Sequence, residues 1–124
     1  MKAFSDLEQS KKLAEILPIE SADMYWWSSG KRYYIEAMDD GDFNEKEGHI
    51  RARSLAALIN IIPQELFDGE YIINITEGIY NKWIITYDHY ENRNHSFYGL
   101  SAGADNLVDA CYEMIIKLHE LNLL

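Results

Sequence analysis

The sequence predicts an α+β fold, an antiparallel β-meander packed against helices, the last of them long. Three observations carry that class. Leu107, Cys111, Met114, Ile115 and Leu118 form an apolar stripe at helical spacing from Asp105 towards Leu121. Tyr71, Ile73 and Ile75 alternate with Ile72, Asn74 and Thr76, and Trp83, Ile85 and Tyr87 repeat the pattern, the period of half-buried strands. Helical patterns flank this run of strands instead of interrupting it, which favours α+β.

The first helix is expected over 5–17. Ser5 followed by Glu8 makes a capping box, and Leu7, Leu13, Ala14, Ile16 and Leu17 oppose Glu8, Lys11, Lys12 and Glu15. Pro18 stops it. A second helix is expected over 54–62, with Ser54 as N-cap and Leu55, Leu58, Ile59 and Ile62 on one side, and Pro63 ends it. The third runs over 105–120. Between the last two, the meander spans 70–100. Pairing Ile75 with Ile85 puts both alternating sets on one face and leaves a loop over 78–82. "ENRN" then turns the chain into a third strand ending near Leu100. If Asn92-Arg93 is the loop of that hairpin, His89 pairs with Ser96, and His89 and His95 point to opposite sides of the sheet.

An earlier stretch, "MYWWSSGKRYY" at 24–34, sets aromatic strand segments on both sides of a Ser28-Ser29-Gly30 turn. Such rings meet as cross-strand pairs that hold up a local core. A stacking platform for single-stranded nucleic acid needs a basic groove, and this neighbourhood is acidic.

A chain of 124 residues fits one domain, residues 1–124. With Lys+Arg 11 against Asp+Glu 21 the net charge is −10, which argues against duplex nucleic acid and against an anionic membrane surface. A basic protein remains a suitable partner. The single cysteine, Cys111, excludes an intrachain disulfide and a multi-thiolate metal site, and it is expected buried on the third helix. "MKAFSDLEQSKK" lacks the apolar core of a secretory signal, so an intracellular, cytoplasmic setting is expected, and the Asn74 and Asn94 glycosylation-like triplets are chance matches.

Several motifs imitate chemistry. Gly99-Leu100-Ser101-Ala102-Gly103 matches the nucleophile elbow, but His119 is the histidine downstream of it, roughly 20 Å along the third helix. Gly99 and Gly103 are therefore expected to punctuate a strand-to-helix loop. Asp40, Asp42 and Asn44 have the opening spacing of a calcium loop, yet Glu45 stands where glycine is needed and Arg51 where the bidentate glutamate belongs. No catalytic residue, metal ligand or cofactor site is assigned, and no enzymatic activity is expected.

"SADMYWW", "ARSLAALINIIPQEL", "NKWIITYD" and "LVDACYEMIIKLHELNLL" resemble, in order, segments of small acidic proteins of phages, prophages and mobile elements of gut bacteria. The resemblance implies an accessory protein of a bacterial cytoplasm and carries over no functional residue. The expected function is non-catalytic protein binding, with inhibition of a basic, nucleic-acid-binding host enzyme by acidic mimicry as its sharper form. The alternative is an accessory or assembly protein whose acidity only confers solubility. The candidate surface is the acidic loop with Asp39, Asp40, Asp42 and Glu45, with Trp26 or Tyr34 beside it as an aromatic anchor.

Overall fold

A computed structural model describes residues 2–38 and 42–124. It is α+β: α-helices accompany two antiparallel sheets, and the longest described helix is the C-terminal one. The chain gathers into two compact units, Ala3–Leu58 and Ile59–Leu124, the latter joined by Lys2.

The first unit opens with α1, Leu7–Ile16. Its N-cap is Asp6, not Ser5. The Asp6 side chain accepts from Gln9 N at 2.8 Å and Gln9 Oε1 accepts from Asp6 N at 3.1 Å, a capping box shifted one residue from the expected one. Ser5 is taken by tertiary structure. It is fully buried, its hydroxyl lies 2.8 Å from Ser10 Oγ, and it accepts from Arg53 N at 3.0 Å. Leu13 and Leu17 are buried, and Pro18 follows the C-cap Leu17, as the sequence predicts.

Strands β1 (Met24–Ser28), β2 (Tyr33–Ala37) and β3 (Ile50–Ala52) form a sheet in the order β2-β1-β3. The aromatic stretch is the β1–β2 hairpin, with Trp27 opposite Tyr34, Trp26 opposite Ile35 and Tyr25 opposite Glu36. Helix α1 packs beside β3, which leaves β2 as the other edge. Ser54 caps α2, Leu55–Ile61, by accepting from Ala57 N at 3.2 Å.

Arg53 is a side chain whose burial the sequence does not announce. It is 0% exposed. Nε and Nη2 donate to Ser21 Oγ at 3.2 and 2.9 Å, and Nη2 also donates to Pro18 O at 3.2 Å. Nη1 has no hydrogen-bond partner among the described residues. Desolvation, reinforced by Arg51 and opposed by Asp23, lowers its pKa to about 10.

In the second unit, β4 (Glu65–Leu66), β5 (Tyr71–Glu77), β6 (Trp83–His89) and β7 (Ser96–Ala104) form an antiparallel sheet in that order. Ile75 pairs with Ile85 and Ile73 with Tyr87, the register the alternation predicts, and the 78–82 loop falls between β5 and β6. Helix α3, Leu107–Glu120, packs on β6 and β7. Ile85, Tyr87, Leu100 and Ala102 are buried together with Val108, Cys111, Met114, Ile115 and Leu118 of the helix. Tyr87 takes its hydroxyl into this core by donating to Pro63 O at 2.6 Å.

The third strand departs from expectation in two ways. It runs on past Leu100 to Ala104, and α3 starts from an Asn106 cap whose side chain accepts from Asp109 N. It also bulges: Thr86 pairs with Ser101 but Asp88 with Ser96, so Phe97–Leu100 bulges out between the two pairs. Gly99 sits in that bulge at φ +81°, a backbone state open to glycine and strained for other residues.

Candidate functional site

The β1–β2 hairpin divides its rings by strand alternation. Tyr25, Trp27, Tyr34 and Glu36 share one face, and Trp26 and Ile35 occupy the other. Trp27 stacks on Tyr34 with ring centroids 4.7 Å apart. Tyr25 is buried, stacks on His49 at 5.0 Å and donates its hydroxyl to Glu36 Oε2 at 3.0 Å. Trp26 meets Phe4 edge-on at 5.8 Å and donates its indole N–H to Ser5 O at 3.2 Å. Trp26 is thus tied into the core of its unit, while Tyr34 remains 40% exposed. The two proposed anchors are therefore not alternatives on one surface.

The acidic loop is likewise divided. Asp39 and Asp40 lie outside the described residues. Asp42 is exposed. Glu45 opens a 3-10 turn, Glu45–Glu47, and its carboxylate meets Arg51 Nη2 at 3.1 Å. Asn44 Oδ1 accepts from Lys46 N at 3.0 Å, so the calcium-loop spacing is occupied locally by a helical cap.

Edge geometry sets the third feature of this unit. Ser29 N donates to Arg32 O and Met38 N to Asp23 O. In the antiparallel β1–β2 pairing hydrogen-bonded pairs alternate with non-bonded ones, so Tyr34 and Glu36 bond to β1. The N–H groups of Tyr33, Ile35 and Ala37 then point outward from the sheet edge. No family model, curated protein or solved structure matches this chain. Its function must be read from such geometry.

A groove of about 310 Å³ opens between α1 and the segment from Glu45 to Arg51. Lys11, His49 and Arg51 border it with Glu45, and Ala14 and Ile50 supply apolar wall. Asn44 N donates to His49 Nδ1 at 3.0 Å, which makes Nδ1 the acceptor and puts the imidazole proton on Nε2. Glu47 Oε2 lies 3.7 Å from that nitrogen. Sequence reasoning missed this set because α1, which supplies Lys11 and Ala14, is far along the chain from the Glu45–Arg51 segment that it faces.

Elsewhere the imitations resolve into structure. Strand β7 runs straight through Ser101, which pairs with Thr86, and Gly103 pairs with Ile84. The glycines do not punctuate a strand-to-helix loop, and the sharp elbow that would lift a nucleophile out of its sheet is not formed. Lys117 Nζ donates to the Ser101 carbonyl. Cys111 is fully buried, and burial pushes its thiol up to about 11. His89 and His95 do not point apart: the bulge pairs Ser96 with Asp88, not His89, and the imidazoles meet edge-on at 6.4 Å. His89 Nδ1 accepts from Glu91 N at 3.2 Å, and His89 stacks on Tyr90 at 5.0 Å. Among the described residues no group of three or more His, Cys, Asp or Glu could hold a metal ion. No described helix is long and apolar enough to cross a membrane.

Proposed function

We propose that this chain is a non-catalytic protein-binding module whose β2 edge accepts an extended, basic segment of a partner protein. The observation that carries the proposal is the outward row of N–H groups at Tyr33, Ile35 and Ala37 on an edge strand. Main-chain bonds to such an edge supply affinity, and the alternating side chains supply selectivity. Tyr33 and Tyr34, 46% and 40% exposed, offer rings on either face of the strand. Glu36, Asp42 and Glu47 are exposed on the strand and the segment after it, and the net charge of −10 attracts basic chains from a distance. The resemblance to acidic proteins of phages and mobile elements supports a basic host protein as the partner, in a bacterial cytoplasm.

A peptide of alternating lysine and valine tests the reading through amide exchange. Binding is expected to protect the Tyr33, Ile35 and Ala37 amides, and Asp42→Asn is expected to slow association without changing which amides respond. Ala37→Pro removes one outward donor at an edge position that tolerates proline, and it should weaken binding while β1–β2 pairing persists. Absence of protection at low salt would overturn the proposal and leave the acidity as a solubility device.

A further inference from the structure

We infer that His49 and His89 are proton-operated clasps, each holding a loop while its imidazole is neutral and releasing it in mild acid. The two belong to different units yet share one arrangement. His49 Nδ1 accepts from Asn44 N at 3.0 Å, and His89 Nδ1 accepts from Glu91 N at 3.2 Å and from Asn92 N at 3.4 Å. Each ring stacks on a tyrosine, Tyr25 or Tyr90, with centroids 5.0 Å apart. Each Nε2 faces a glutamate, Glu47 at 3.7 Å and Glu70 at 4.0 Å.

A neutral imidazole protonated at Nε2 can accept at Nδ1, and an imidazolium cannot. A proton on Nδ1 turns the acceptor into a donor aimed at another donor, so the loop N–H has to leave it. The bond is therefore present above the imidazole ionisation, which ordinarily falls between about pH 5 and 8, and is lost as pH falls through it. The charged neighbours do not restore that bond. Glu47 and Glu70 attract the new charge from the Nε2 side, so the imidazolium keeps a partner there while losing the backbone on the other side. Lys11 of α1 and Arg51 of β3 border the same groove as His49 and repel its charged form, Arg51 less so because Glu45 pairs with it. Around His89, Tyr71 meets the ring edge-on at 5.5 Å and the Glu91 carboxylate accepts from the Tyr90 hydroxyl. His95 lies 6.4 Å away across the turn, and the two rings repel when both are charged. At the first clasp the consequence reaches the core of the unit. Tyr25 is 4% exposed because His49 and Phe43 lie against it, so freeing Asn44 loosens the cover of an aromatic ring.

Imidazole nitrogen shifts and water-exchange NMR test both clasps without reference to what the β2 edge binds. At neutral pH the nitrogen shifts of His49 and His89 are expected to show the proton on Nε2. On acidification the protection factors of the Asn44 and Glu91 amides, which divide out the intrinsic pH dependence of exchange, should fall roughly three- to tenfold. Each fall should share the midpoint of its own imidazole, while the core amide of Ile85 keeps its protection. Asparagine places an oxygen near the position of Nδ1 and does not ionise. His49→Asn should therefore abolish the response at Asn44 and spare that at Glu91, and His89→Asn should do the reverse, so each clasp is the control for the other. A proton found on Nδ1 at neutral pH, protection that persists through imidazole ionisation, or an undiminished response in the Asn variants would overturn the inference.

Discussion

Arg53 places a full charge where water cannot reach it, held by one hydroxyl and one carbonyl, with its second terminal nitrogen unpartnered among the described residues. Desolvation costs of this kind are often recovered when an apolar residue of similar size replaces the ion. Arg53→Met is expected to change stability by less than about 1 kcal/mol, because it keeps most of the volume and removes the charge. Arg53→Ala should cost roughly 2–4 kcal/mol by opening a cavity, and urea unfolding distinguishes the two. Cys111 and Tyr87 behave oppositely. Burial holds both in the neutral form, the thiol up to about 11 from 9.0 and the phenol above its ordinary 10.0. Above those ordinary values the unfolded chain loses protons that the folded chain keeps, so stability falls as pH rises through 9 and 10. Arg53 contributes the reverse sign above about 10, where the folded state sheds a costly charge first. Unfolding midpoints should therefore drop between pH 8 and the Cys111 value of about 11, and Cys111→Ala should flatten the first part of that drop.

Elements whose signals were local were legible. The helices carried apolar stripes and prolines, and the Ile75–Ile85 register followed from alternation plus a loop of fixed length. Where two local solutions were equal, tertiary contacts chose. Ser5-x-x-Glu8 and Asp6-x-x-Gln9 are both capping boxes, and the second forms because Ser5 is needed by Arg53 and Ser10. The β7 bulge had no periodic signature beyond Gly99, and missing it misplaced His95 relative to His89. The groove was illegible for a plainer reason: Lys11 and the Glu45–Arg51 segment border one space only after α1 packs beside β3. Gly99 offers a clean test of the bulge. A Cβ there meets nothing within 4 Å, so Gly99→Ala should cost about 1 kcal/mol through backbone strain alone. Ser101→Ala, on the exposed face of the same strand, should leave stability and every binding readout unchanged.

At the scale of the whole molecule the dominant fact is charge of one sign. Asp+Glu 21 against Lys+Arg 11 leaves self-repulsion that no set of exposed ion pairs compensates, since pairs such as Lys11–Glu8 and Lys12–Glu15 are both solvated. Raising ionic strength from low to physiological values is expected to raise the urea midpoint, and a falling midpoint would show that specific ion pairs outweigh repulsion. The same salt should weaken capture of a basic segment at β2, so the two effects of screening have opposite signs and can be read in one titration.

The Trp27–Tyr34 stack gives that titration an optical handle. Two rings with centroids 4.7 Å apart, fixed on neighbouring strands, couple their electronic transitions and impose a chiral near-ultraviolet signal on the folded chain. Tyr34 belongs to the edge strand and Trp27 to its inner neighbour. A segment seated along β2 and packed against the Tyr34 ring is expected to tilt it against Trp27, so that occupancy of the edge reads as a change in circular dichroism and indole emission, with no label attached.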